Sequence, residues 1–151
     1  MRTLALILSA TFITLSAAVA ASWDLRDNER PIRYEELPAA AQSFIKSHFA
    51  KEEVSYAILD KGIFFDEYSV VLANGDKIDF DNKGNWTEVK CRYSAVPSNI
   101  VPRQISDYVK QYNKSAKIVE IKRDRNEWEV KLSGGLEYKF NSSFRLVEVD
   151  D

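Results

Sequence analysis

Apolar and polar residues alternate through much of this chain, and the alternation occurs twice. Tyr68, Val70 and Leu72 are spaced two apart, and so are Ile78 and Phe80 after Asn74-Gly75. A period of two is strand geometry, because successive side chains point to opposite faces. Trp128, Val130, Leu132, Tyr138 and Phe140 follow the same rule at an offset of 60. When Tyr68–Val89 is set against Trp128–Val149, six of the 22 pairs are identical: Val70/Val130, Leu72/Leu132, Gly75/Gly135, Phe80/Phe140, Glu88/Glu148 and Val89/Val149. Tyr68/Trp128, Ile78/Tyr138 and Trp86/Leu146 keep their apolar character. Self-similarity of this length signals a duplicated unit.

A helical period precedes each copy. Leu37, Ala41, Phe44, Ile45 and Phe49 share one helix face, opposite Gln42, Ser43, Lys46 and Ser47. Val101, Ile105, Tyr108 and Val109 match the first four at an offset of 64, and Pro102 falls on Pro38. Proline suits a first helical turn, where its missing N–H would be unpaired anyway. The pattern predicts helices over Pro38–Phe49 and Pro102–Tyr112. It predicts strands near Val54–Leu59, Phe65–Ala73, Lys77–Asp81 and Asn85–Lys90, then near Lys117–Arg123, Glu127–Ser133, Glu137–Asn141 and Arg145–Val149. Asn74-Gly75 reads as a type I′ hairpin, which needs φ > 0 at both central residues, and Gly134-Gly135 supplies the same turn chemistry. The change of offset from 64 to 60 assigns copy one a four-residue excess around Lys61–Asp66, where Gly62, Ile63, Phe64 and Phe65 fall.

The fold class that follows is α+β: a tandem repeat of two helix-plus-four-stranded antiparallel units, with helices on one sheet face and the other face open. The units span 36–91 and 96–151. Each has about 55 residues, too few for an ample core of its own, so the halves should share a sheet or a large interface. Residues 21–35 are an extended, polar lead-in, with Trp23, Leu25 or Ile32 available to tack onto the body.

Residues 1–20 have a different pattern. Arg2 precedes an apolar run over Leu4–Leu15, and Ala18-Val19-Ala20 is a small-x-small cleavage signal. The pattern reads as a secretory signal peptide cut after Ala20; the rival reading, a retained membrane helix, is disfavoured by the short apolar core that ends in small residues. No cysteine follows it for a lipid anchor. The expected location is periplasmic or secreted, with no membrane insertion after cleavage. Loss of Arg2 leaves 20 basic against 23 acidic residues, a net charge of −3. That excludes the basic excess of a nucleic-acid binder.

Catalytic chemistry is poorly supplied. His48 is the only histidine and reads as structural, and with Cys91 it is too small a set for zinc. Cys91 has no intrachain disulfide partner; it reads as a small buried hydrophobe at a strand end, with intermolecular pairing as the alternative. No glycine-rich phosphate loop occurs. No enzyme activity and no cofactor are expected. Calcium is the one alternative: Asp79-Phe80-Asp81-Asn82-Lys83-Gly84 partly matches a calcium loop, with Asp79 and Asp81 as ligands. Lys83 stands where an oxygen is needed, and a plain turn explains the same residues. The candidate partner-binding surface combines the apolar Ile63, Phe64 and Phe65 with the open face: Glu67, Ser69, Val71, Lys77, Asp79, Glu129, Lys131, Glu137 and Lys139; the alternative for Ile63 and Phe65 is that they extend the strands and are buried.

Several segments carry a family resemblance. They are Leu37-Pro38 running into Phe44–Phe49, Tyr68–Gly75 running into Ile78–Asp81 and Gly84–Trp86, then Ile100–Pro102, Ile118–Ile121 and Trp128–Leu132. Over about Arg33–Asp151 the chain resembles the PepSY-like, β-lactamase-inhibitor-like proteins exported by Bacteroides-type bacteria. The resemblance implies a shape similar to β-lactamase inhibitor protein, whose open sheet grips a target enzyme. No inhibitory residue carries over, since the matching positions are core, turn and helix positions, and the inhibitor's disulfides have no counterpart beside Cys91. The implied function is an exported protein-binding module, inhibitory toward another exported protein of unknown identity. The alternative is a periplasmic calcium or small-ligand sensor.

Overall fold

The computed structural model describes residues 28–151. The expected signal sequence, with its expected cleavage site, and Trp23 and Leu25 of the lead-in lie outside the described residues. Both predicted helices form: α1 over Ala39–His48 and α2 over Arg103–Tyr112, with Pro38 and Pro102 immediately before them. The lead-in is more ordered than its polar composition predicts. Glu29–Ile32 is a strand, β1, followed by a 3-10 turn at Tyr34–Glu36. The remaining strands are β2 (Val54–Lys61), β3 (Asp66–Leu72), β4 (Lys77–Phe80), β5 (Trp86–Lys90), β6 (Ile118–Arg123), β7 (Glu127–Leu132), β8 (Glu137–Asn141) and β9 (Leu146–Asp150). All nine form one open antiparallel sheet in sequence order.

Alternation fixes the faces. Val70, Leu72, Ile78, Phe80, Val89, Ile121, Val130, Leu132 and Phe140 are buried in one cluster with Ala41 and Ile45 of α1 and Ile105 and Val109 of α2. Phe44 meets Phe80 edge-on at 5.8 Å between ring centroids, and Tyr108 meets Phe140 the same way at 5.4 Å. The two helices therefore cover the same sheet face. At the β5–β6 seam, Arg123 lies 4.1 Å over the Trp86 ring and donates from Nε to the Trp86 carbonyl at 2.8 Å. Val70→Ala, at a site with no exposure, is expected to cost about 1–3 kcal/mol. Val71→Ala, on the opposite face, is expected to cost under about 0.5 kcal/mol. Urea melts of the two variants check the face assignment.

The turns differ from the type I′ prediction. Gly75 N–H donates to the Leu72 carbonyl, so Ala73 and Asn74 are the central residues, and neither has positive φ. Gly75 then takes φ +88°, a type I turn closed by a glycine bulge. The Asn74 side chain explains the choice: its Oδ1 accepts the Asp76 N–H at 2.9 Å. Gly135 and Gly84 hold the same position in their hairpins, at φ +97° and +83°.

The four-residue excess falls around Lys61–Asp66, but in the strands and not in the loop between them. Leu59 pairs with Tyr68, and Arg123 pairs with Trp128. Beyond Leu59/Tyr68 the first hairpin adds two rungs, Asp60/Glu67 and Lys61/Asp66, before its Gly62–Phe65 loop. The extra residues therefore lengthen the ladder, by roughly 7 Å at strand rise, and the apolar loop is carried out on that extension.

Candidate functional site

The extended β2–β3 hairpin ends in the most exposed apolar group among the described residues. Ile63 is 95% exposed, Phe64 86% and Phe65 67%. The expectation that Phe65 and Ile63 could be buried as strand extensions does not hold, because the ladder stops at Lys61/Asp66. The loop is tight: a Cβ on Gly62 would collide with the Phe65 carbonyl oxygen. Three large apolar side chains exposed side by side make this tip a candidate contact surface.

Next to this hairpin lies the open face, organised as two rows. One runs Ile58, Ser69, Asp79, Glu88, Lys122, Glu129, Lys139, Glu148, each directly opposite the next across a strand pair. The other runs Tyr56, Val71, Lys77, Lys90, Glu120, Lys131, Glu137, Asp150. Sequence-predicted residues Glu67, Ser69, Val71, Lys77 and Asp79 line one hollow, together with Tyr56 and Ile58. The sequence reading missed the last two. Tyr56-Ala57-Ile58-Leu59 is apolar on both faces, and alternation is silent where both sides are apolar. Glu129, Lys131, Glu137 and Lys139 cluster separately on β7 and β8, so the predicted set is two groups joined by β5 and β6. The first group is partly apolar and the second is charged throughout.

The charges are largely answered within the molecule. Lys77 reaches Asp79 at 2.8 Å, and Ser69 donates to Asp79 at 2.6 Å. Lys131 pairs with Glu137 at 2.5 Å, and Lys139 with Glu148 at 2.9 Å and Asp150 at 3.4 Å. Glu120, only 6% exposed, receives Lys90 at 2.9 Å and Lys122 at 3.0 Å. Burial pushes its carboxyl up, but the two ammonium groups outweigh that and hold it below the ordinary carboxylate range. Lys77→Glu or Lys131→Glu would therefore disturb stability as well as surface charge.

Glu88 is the exception. It faces Asp79 directly, and burial raises its pKa above the ordinary value; Lys122 opposes that rise, while Asp79 and Glu120 add to it. A carboxyl with a raised folded pKa binds its proton more tightly when folded, so its ionised form opposes folding. That penalty is complete above the folded pKa and absent below the unfolded value, roughly 4.3. Glu88→Gln is expected to stabilise the protein at neutral pH by a few tenths to about 1 kcal/mol, the scale of opposed like charges partly screened by solvent. The gain should shrink as the pH falls through the folded pKa. Thermal melts at pH 7 and pH 4 check both signs.

The Asp79 and Asp81 carboxylates are engaged separately. Asp79 holds Lys77 and Ser69 on the open face. Asp81 Oδ1 accepts the backbone N–H groups of Lys83 and Asn85, both at 2.9 Å, and Asn85 Nδ2 donates to Oδ2 at 3.0 Å. These are the bonds of a capped turn. Among the described residues no cluster of three or more His, Cys, Asp and Glu side chains is arranged to hold a metal ion.

Cys91 is buried as expected, and its strand-end position brings it into an unexpected group. His48, Cys91, Asp76, Asn74 and Ser94 line one hollow between the end of α1 and the connection after β5. Asp76 is buried and accepts the Arg92 N–H at 2.8 Å, pinning that connection. Burial, reinforced by the Asp76 charge, pushes the Cys91 thiol up to about 12, so it stays protonated and is a poor nucleophile. The His48 ring packs on Phe44 at 4.5 Å.

Known proteins share this architecture. The family model described as "Putative beta-lactamase-inhibitor-like, PepSY-like" matches residues 66–148. A crystal structure of a "putative periplasmic protein from DUF2874 family" of Bacteroides vulgatus is 45% identical, with a TM-score of 0.80, covering 83% of this chain and 98% of that one. A "putative calcium-regulated periplasmic protein" of Bacteroides thetaiotaomicron is 40% identical, with a TM-score of 0.80 and the same coverage. A second Bacteroides vulgatus protein, a "putative periplasmic protein of unknown function", is 34% identical, with a TM-score of 0.78 over 82% of this chain and 99% of that one. No functionally curated protein matches. Among the described residues no helix is long and apolar enough to cross a membrane.

Proposed function

We propose, for a chain that belongs to the PepSY-like family, the function of an exported module that binds another exported protein and inhibits it. The chain is read as a signal peptide over 1–20, a lead-in over 21–35 and two tandem α-β4 units over 36–91 and 96–151, acting in the periplasm. It is a binding protein rather than an enzyme. The observation that carries this reading is the apolar tip Ile63–Phe65, raised on two additional rungs beside an open sheet face. Aromatic residues are the usual anchors of protein interfaces, and a polar surround supplies selectivity. The family description and the periplasmic neighbours support the same reading.

The test places a photo-crosslinking phenylalanine analogue at position 64 of the chain expressed in its native host. A protein adduct is expected at position 64 and not at position 134, in the exposed β7–β8 turn at the other end of the sheet. An adduct at both positions, or at neither, would remove the tip from the interface. Inhibition is tested by assaying the captured partner with and without the purified mature chain.

A second reading is a calcium-responsive periplasmic protein. It is favoured by the name of the 40% identical neighbour and by the Asp79–Gly84 turn. Titration calorimetry with CaCl₂, followed by the Asp81→Asn variant, decides it. Heat of binding lost in that variant supports the reading, and no heat at millimolar calcium ends it.

A further inference from the structure

The strand β9 closes the sheet on its C-terminal side, and its register explains what it lacks. Ile78 pairs with Val89 and Asp79 with Glu88; sixty positions later Tyr138 pairs with Val149 and Lys139 with Glu148. The bulges recur at the same offset, between Asp79 and Phe80 and between Lys139 and Phe140. β9 thus stands to β8 as β5 stands to β4. β5, however, has β6 on its outer side, and β9 has no strand beyond it among the described residues. The consequence is visible in one pair: Val89 has no exposure, whereas Val149 is 49% exposed.

We propose that the β9 edge accepts one extended, antiparallel strand of a protein partner with a basic–apolar–basic sequence. The inner seam supplies the template. There β6 sets Ile121 opposite Val89 and Lys122 opposite Glu88. The same geometry at β9 calls for an apolar residue opposite Val149 and a cation opposite Glu148. The third position differs: β5 has Lys90, which β6 answers with Glu120, and β9 has Asp150, which calls for a second cation. Lys139 bonds both carboxylates from the β8 side, yet each remains half exposed. The backbone is in phase as well. Cys91 N–H donates to the Val119 carbonyl at 2.8 Å, so the period of two turns the amides of Val89, and of its counterpart Val149, outward.

The two sheet edges are not equivalent. β1 carries Pro31, which has no N–H and blunts that edge against pairing. β9 has no proline. A second copy of this chain is a poor occupant of β9: pairing β9 with itself brings Glu148 and Asp150 against the same carboxylates, and β1 offers Glu-Arg-Pro-Ile. Strand addition of this kind draws affinity from the backbone and selectivity from alternate side chains. It does not depend on the apolar tip, and Phe64→Ala leaves it unchanged.

The experiment titrates the isotope-labelled mature chain with a synthetic peptide. The peptide carries the β6 sequence with lysine at its Glu120 position. NMR is expected to show saturable shifts confined to β9 and its β8 neighbours, with hydrogen-exchange protection gained at the Val149 amide. A peptide with glutamate at both lysine positions is expected to bind at least tenfold more weakly. The Glu148→Lys/Asp150→Lys double variant is expected to reverse that preference. Protection at Val149 is read on the unsubstituted chain, so the test stands whether or not the double variant folds. Absence of shifts at millimolar peptide, shifts scattered over the acidic face, or no gain of Val149 protection would each overturn the proposal. So would a dimer, seen by light scattering without peptide, in which the β9 amides are already protected.

Discussion

Replacing Gly84 with alanine is expected to destabilise the protein by roughly 2–5 kcal/mol, whereas the same change at Gly135 is expected to cost about 1–2 kcal/mol. Both residues close a hairpin turn with left-handed φ, +83° and +97°. An L-residue there carries the same conformational cost, so that part cancels between them. The difference is in the surroundings. A Cβ at Gly84 would lie 2.7 Å from the Pro38 Cβ, 2.9 Å from the Ala41 backbone nitrogen and 3.2 Å from the Ala40 Cβ. The β4–β5 turn therefore sits directly on the first turn of α1. Relief would require moving either the helix start or the turn, since all three contacts are with atoms fixed to the backbone. At Gly135 nothing lies within 4 Å. Equilibrium urea unfolding of the two variants measures the comparison. Equal costs would show that the helix start yields and that this contact does not hold α1 to the sheet.

The matching turn of the second half solves the problem with a different residue. Phe144 occupies the position that corresponds to Gly84 and takes φ +59°, the only positive φ outside glycine among the described residues. Its ring packs 5.7 Å from Trp128. Packing there offsets backbone strain that glycine avoids at Gly84. The sequence alignment of the halves pairs Gly84 with Phe144, a mismatch that alternation cannot interpret.

Legibility follows the physics of each element. Helices α1 and α2 and strands β2–β8 are readable because one face of each is buried, which imposes a period on the residues; β9, which buries no residue fully, is readable only from its likeness to β5 sixty positions earlier. β1 escapes such a reading because an edge strand of Glu-Arg-Pro-Ile buries little and carries no period. The turn type departs from its sequence signature because Asn74 acts through its side chain, bonding Asp76, instead of through a left-handed backbone. On the open face, charged residues of β3, β4, β7 and β8 are readable from alternation, but their mutual pairing is not, because Lys139 with Asp150 and Lys90 with Glu120 are pairs between distant positions. The hollow that joins His48 to Cys91 depends on where α1 ends relative to the connection after β5, which no local pattern encodes.

Phe64→Ala is expected to weaken partner binding by more than about 1 kcal/mol, at least fivefold in Kd, while leaving the unfolding midpoint unchanged. The separation of the two effects follows from position. Phe64 is 86% exposed at the end of a hairpin, so its removal opens no cavity, and a surface change of this kind alters stability by less than about 0.5 kcal/mol. Its ring offers a partner a large apolar area on a side chain with only two rotatable bonds to order. The neighbouring ion pairs contribute less to affinity, because Lys77 and Asp79 already satisfy each other and would have to be desolvated together. Surface-plasmon kinetics against the protein captured at position 64 make the measurement, with the effect expected in the dissociation rate. Gly134→Ala is the control: the residue is exposed at the opposite end of the sheet, and nothing lies within 4 Å of an added Cβ, so the kinetics should be unaltered. Unchanged affinity in Phe64→Ala would make the tip a bystander. A lowered unfolding midpoint would show that Phe64 supports the hairpin itself.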